Sequence, residues 1–139
     1  MRTDRIVVDT NVLISAALQS TGRPRAAVDA VARARGLLLF SEATLAELST
    51  RLDRAKFDRY VTRAARTRFV EQVRAVAEWV EISGAPQGCR DPDDDKFLET
   101  ALVGQAGCIV TGDQDLLVLS PFHHVLIVTP AAFLEGLGA

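Results

Sequence analysis

The chain has 139 residues, 48% hydrophobic and 24% charged, with a formal net charge of −2. Length fits one domain, and a chain of this size buries roughly 68% of the surface it exposes when unfolded. The composition excludes a disordered, collagen-like or coiled-coil chain, and no apolar run approaches the roughly 18 residues of a membrane span. Two cysteines, Cys89 and Cys108, form no CxxC pair, and a cytosolic chain with free thiols is expected. The near-neutral total hides a polarity. Residues 1–50 carry +1, residues 51–88 carry +3 and residues 89–139 carry −6, and 14 of the 16 basic residues are Arg. An acidic pole beside an Arg-rich segment suits a metal-using enzyme acting on nucleic acid, although a solvated helix face has the same composition.

In chain order, Arg5 to Asp9 reads as a short buried strand, and Val12 to Leu18 as a buried helix. Pro24 opens a helix that Gly36 stops, and Leu37 to Phe40 is a second buried strand. Ser41 is a good N-cap for a helix carrying Leu45, Leu48 and Leu52. Residues 57–80 are expected to form the longest helix, with Phe69, Val73, Val76 and Val80 on one stripe and Arg59, Arg63, Arg66 and Arg74 on other faces. A short strand or helix end follows at Val80 to Ile82. Asp91-Pro92 starts another helix that ends near Gly104 or Gly107. Cys108 to Thr111 is a third clear strand, Asp113 to Leu119 a short helix, Val125 to Val128 a fourth strand, and Pro130 opens the last helix.

Short apolar strands alternating with helices call for a parallel sheet covered on both faces, an α/β chain that binds ligands beyond the carboxyl ends of its strands. Two strands end by delivering acids, Asp9 and Asp113, and a third leads into the helix carrying Glu47. With Asp95, and with Asp115 and Asp93 behind them, these acids are expected at one sheet edge. Two carboxylates about 4 Å apart repel by roughly 4 kcal/mol at an effective dielectric of 20. Four together need a cation, and oxygen ligands without His or Cys select Mg²⁺ or Mn²⁺ over Zn²⁺. Such a centre supports phosphodiester hydrolysis. Each acid also has a plain structural reading: Asp9 and Asp113 as helix caps, Glu47 as a surface residue, and Asp91 to Asp95 as acids at the positive end of a helix. The sequence contains no G-x-S-x-G, Walker A or G-x-G-x-x-G motif. His123-His124 precedes the last strand and is set aside as a ligand pair.

Four pieces, in this order and spacing, resemble PIN-domain ribonucleases of the branch found in VapBC-like bacterial toxin–antitoxin pairs. They are Val8 to Ile14 with Asp9-Thr10-Asn11, Ser41 to Leu48 with Glu47, Asp91 to Glu99, and Val110 to Leu117 with Thr111, Asp113 and Asp115. The resemblance implies one PIN-like domain over residues 1–139, a three-layer α/β/α fold with a central parallel sheet of about five strands. It implies Mg²⁺- or Mn²⁺-dependent cleavage of single-stranded RNA in the cytoplasm, a small antitoxin partner, homodimers and no membrane contact. Carried over residue by residue, Asp9, Glu47, Asp95 and Asp113 are the catalytic acids, and Asp9, Asp95, Asp113 and Asp115 the metal ligands. Asn11 and Thr111 support them, and Asp93 is the alternative to Asp95. Two other readings stay open: a catalytically silent PIN-like module that binds protein or RNA, and a DNA structure-specific nuclease.

Overall fold

Five short strands lie side by side in the order β3-β2-β1-β4-β5, all parallel, in a computed structural model that describes residues 2–137. They are β1 (Arg5–Val8), β2 (Leu37–Phe40), β3 (Glu78–Trp79), β4 (Cys108–Val110) and β5 (Leu126–Val128). The helices are α1 (Thr10–Leu18), α2 (Arg23–Arg33), α3 (Glu42–Leu52), α4 (Arg63–Val76), α5 (Asp95–Val103), α6 (Gln114–Leu117) and α7 (Pro130–Gly136). Period-two alternation along the strands feeds two cores. Ile6 and Val8 of β1, Leu38 and Phe40 of β2, and Cys108 and Val110 of β4 pack under α1, α2, α3, α4 and α7. Val7, Leu39, Ile109 and Ile127 face the other way, against Phe97, Leu98 and Ala101 of α5 and Leu116 of α6. The result is three layers, as the strand–helix alternation and the family resemblance lead one to expect.

The chain winds outward in both directions from the centre. From β1 it passes through α1 and α2 to β2, then through α3 and α4 to β3, and it returns through α5 to β4 on the opposite flank of β1. The strand order therefore reverses between β1 and β4, and the carboxyl ends of these two neighbours form the crevice where such sheets bind ligands. Two glycines allow close backbone approach near the amino edge. A Cβ on Gly107, just before β4, would meet the Arg2 carbonyl oxygen at 2.2 Å, and one on Gly36, just before β2, would meet that of Thr3 at 2.9 Å.

The long helix expected over residues 57–80 is two pieces. A 3-10 turn covers Ala55–Phe57, and the helix itself starts only after Thr62, whose hydroxyl accepts from the Ala65 N–H at 3.2 Å. It stops at Val76, because the chain must extend at Ala77 to add β3 to the sheet. The strand expected at Val80 to Ile82 thus lies earlier, at Glu78–Trp79. Of the predicted stripe, Val73 is buried, Val76 is 63% exposed, and Val80 packs in the second core with α5. Arg66 leaves the surface altogether. Its guanidinium is buried and donates to the carbonyls of Leu52 and Arg54, both at 2.9 Å, and pairs with Asp58. It thereby satisfies orphan carbonyls at and just beyond the end of α3.

Candidate active site

Asp9 follows β1 directly and caps α1, its Oδ1 accepting from the Asn11 N–H at 3.4 Å. Its other oxygen, Oδ2, accepts from the Thr111 hydroxyl at 2.7 Å, across 102 residues of sequence. Thr111 follows β4, and the same hydroxyl oxygen accepts from the Asp113 N–H at 3.0 Å. One buried hydroxyl thus ties the ends of the two central strands together and orients both acidic loops. Asp113 caps α6 in the same manner, accepting from the Asp115 N–H at 2.9 Å. The capping and the functional readings of Asp9 and Asp113 are therefore compatible, since each uses one carboxylate oxygen to start a helix and stays at the cleft. Asn11 contributes its backbone N–H to Asp9, while its side chain is exposed at the cleft mouth.

Asp9 and Asp113 share a cleft of about 370 Å³ with Asn11, Ser15, Pro24 and Gly112. Burial raises the Asp9 carboxyl above its usual range, and Asp113 and Glu47 push it the same way, against the Thr111 hydrogen bond. The acid from the third sequence piece that bears on Asp113 is Asp94. Burial pushes its carboxyl up to about 7, together with the charge of and a hydrogen bond to Asp113 and the charges of Asp9 and Asp91.

Asp95, the residue expected there, turns away: its Oδ1 accepts from the Cys89 N–H at 2.9 Å and holds the preceding loop. The alternative, Asp93, is exposed and outside the cluster; its carbonyl accepts from Lys96 at 2.7 Å. The reason is a 3-10 turn over Pro92–Asp94 that precedes α5 and changes which acid of the run faces the cleft. Asp115 stands one helical step beyond Asp113, with its carboxylate 4.0 Å from Arg90. Glu47, on the second turn of α3, reaches the rim of the site, where its Oε2 accepts from the Thr10 hydroxyl at 2.7 Å.

One structural acid was not singled out in the sequence. Buried Glu99 accepts from the Ser83 N–H and hydroxyl and from the Gly84 N–H, at 2.7–2.9 Å, and these donors lower its pKa. It anchors the irregular segment between β3 and α5 at Ser83 and Gly84. Glu99 lies one turn along α5 from Asp95, so helical spacing alone places the two on the same side. His123 and His124 are exposed at the amino end of β5, the edge opposite the cleft.

A model of the PIN domain matches residues 5–115, from the first residue of β1 to just beyond the last acid of the cleft. The chain belongs to the PIN domain family. The uncharacterized protein MJ1680 of Methanocaldococcus jannaschii is 28% identical to it over 94% of this chain and 90% of its own length. The crystal structure of PAE2754 from Pyrobaculum aerophilum has the same fold, with a TM-score of 0.66 at 17% identity over 99% of this chain and 92% of that one. PIN domains are generally nucleases and typically use divalent metal ions.

The residues of this PIN domain fit such an ion in their chemistry. The donors are all carboxylate oxygens, which suit a hard cation. Burial and the charge of Asp113 raise Asp94 so that it holds its proton to near neutral pH unless a cation takes its place. Among the described residues no group of three or more such side chains already closes around a single point. No described helix is long and apolar enough to cross a membrane.

Proposed function

We propose that this PIN domain is a metal-dependent endoribonuclease that cuts single-stranded RNA, with Asp9, Asp94 and Asp113 as the carboxylates that hold Mg²⁺ or Mn²⁺. The observation that supports this reading best is the meeting of Asp9 and Asp113 in one cleft at the strand-order reversal, tied by the Thr111 hydroxyl, with the charges of both felt at Asp94. A divalent ion there would supply an activated water and neutralise charge developing on the phosphate.

The chain's own groups do the rest. Thr111 holds the Asp9 carboxylate in one orientation and anchors the Asp113 loop. The Asn11 and Asp115 N–H groups hold the second oxygens of Asp9 and Asp113. Asp115 stands as a further oxygen ligand at the outer edge, and Glu47 lines the rim beside Thr10. Asp95 acts at one remove, by fixing the loop at Cys89.

In a cell, this reading makes the protein a cytoplasmic toxin held in check by a small antitoxin and working as a homodimer. A groove of about 400 Å³ between α2 and α4, lined by Val28, Ala32, Leu38, Phe69 and Val76, offers apolar surface for a protein partner.

The test is RNA degradation by purified protein with Mn²⁺ or Mg²⁺, with EDTA as control and single-stranded DNA and flap DNA as rival substrates. Cleavage of RNA that EDTA stops, and that Asp9→Asn abolishes without changing the thermal midpoint by more than a few degrees, is expected. A folded Asp9→Asn protein cutting at the wild-type rate refutes the assignment.

A further inference from the structure

Glu47 is not a free acid. Its Oε1 receives two cations, the Arg51 guanidinium at 2.5 Å from one turn further along α3 and the Lys96 ammonium at 3.3 Å from α5. Its Oε2 accepts from Thr10, the residue next to Asp9. Lys96 is steered further by the Asp93 carbonyl, to which it donates at 2.7 Å. One carboxylate between two cations leaves a net positive charge directly beside an acidic cleft. Both cations are within reach of a ligand, since their side chains are 34% exposed for Arg51 and 19% for Lys96. Further along the chain Arg54, Lys56 and Arg59 are exposed, with Asp53 paired to Arg63 and Asp58 to Arg66 interspersed. In the other direction Lys96 is, among the described residues, the one cation lining a groove of about 520 Å³, which Asp93, Asp95 and Glu99 also line. The site therefore has two poles, an acidic one that suits a cation and a basic one that suits an anion.

We infer that Lys96 and Arg51 form a phosphate clamp on the rim of the cleft, with Glu47 as the residue that positions both. Arg51 offers a planar fork to phosphate oxygens and Lys96 a point charge. The clamp takes a phosphate of a single-stranded nucleic-acid backbone and sets the register of the strand relative to Asp9, Asp94 and Asp113. It rests on the nuclease reading only for the identity of that polyanion.

The experiment uses Asp9→Asn protein in EDTA, so that turnover plays no part. Binding of a fluorescent single-stranded oligouridine is followed by anisotropy over a salt series for the parent and for added Lys96→Met, Arg51→Met or Lys96→Arg, with thermal melting to establish folding. Lys96→Met and Arg51→Met are each expected to weaken binding by roughly tenfold, the usual size of one lost charge-assisted contact. Each should also flatten the slope of log affinity against log salt by about 0.7, the share of one phosphate contact on a single strand. Lys96→Arg keeps most of both.

A folded Lys96→Met or Arg51→Met protein with unchanged affinity and slope overturns the clamp, as does absence of binding by the parent. Half-exposed Arg51 serves as the decisive variant if Lys96→Met does not fold. A wild-type chain that never cuts RNA but gives these slopes loses the nuclease reading and keeps the clamp. A chain that cuts RNA with slopes unmoved does the reverse.

Discussion

Thr111 concentrates more of the site on one atom than any acid does. Its oxygen serves as donor to Asp9 and acceptor from the Asp113 backbone, with the residue wholly buried. Thr111→Val keeps the shape and removes both bonds. It removes the partner of the half-buried Asp113 N–H and frees the Asp9 carboxylate to rotate, which by analogy with other ligand-orienting groups costs about 10–100-fold in activity or metal affinity. Thr111→Ser restores the hydroxyl and should restore most of the rate. Measured kcat with Mn²⁺ for the two variants, at matched thermal stability, separates orientation from folding. That Asp9, Thr111 and Asp113 meet at one crevice was legible in the sequence because a strand end fixes which residue lies there. Which acid of the 91–95 run bears on Asp113 and which holds the Cys89 loop was not. Successive residues turn by about 120° in a 3-10 turn and 100° in an α-helix, so the point at which Pro92–Asp94 hands over to α5 decides between Asp94 and Asp95. No composition or spacing signals that handover.

At the scale of elements, the strands and most helices could be read from apolar runs and caps, among them Ser41 before α3 and Pro130 at the start of α7. The 57–80 region misled because its composition is helical throughout while its tertiary role changes twice, at Thr62 and at Ala77. Arg66 shows the same limit. A helical wheel puts it with its charged neighbours, but the turn between α3 and α4 folds back so that it meets the carbonyls of Leu52 and Arg54. Arg66→Met should destabilise the chain by about 3 kcal/mol, the cost of breaking a buried, paired charge and stranding its acceptors. Arg66→Lys should recover little, since one ammonium cannot reproduce the fork. A urea midpoint that falls with unchanged m-value is the expected signature. Arg63, whose pair with Asp53 is largely exposed, serves as the neutral comparison.

For the molecule as a whole, the acidic cleft sets how stability depends on pH. A carboxyl raised from 3.8 to about 7, as in Asp94, binds its proton more tightly in the folded chain than in the unfolded one. Its contribution is complete below pH 3.8 and is lost as pH rises to about 7, and raised Asp9 acts in the same direction. Metal-free protein should therefore melt lower at pH 8 than this pair would allow at pH 5, and saturating Mg²⁺ or Mn²⁺ should reverse the loss at pH 8. At a hundredfold excess over the dissociation constant the gain is about 2.7 kcal/mol, roughly 6–10 °C at this length. Asp94→Asn should raise the metal-free midpoint at pH 8 and remove most of the metal-induced gain. Scanning calorimetry of both proteins with and without Mn²⁺ checks this, and an equal metal response in the two would remove Asp94 from the ligand set.

The partnership of Asp9 with Thr111 spans 102 positions of the chain. During synthesis the first acid leaves the ribosome long before its companion exists. At about 5–20 residues per second, that interval is several seconds or more. A nascent chain in that interval, or one cut short by a stop codon before position 111, carries β1 without the strand that completes its crevice. The timing of translation is thus a built-in delay: the chain presents no assembled acidic crevice until nearly all of it has been read.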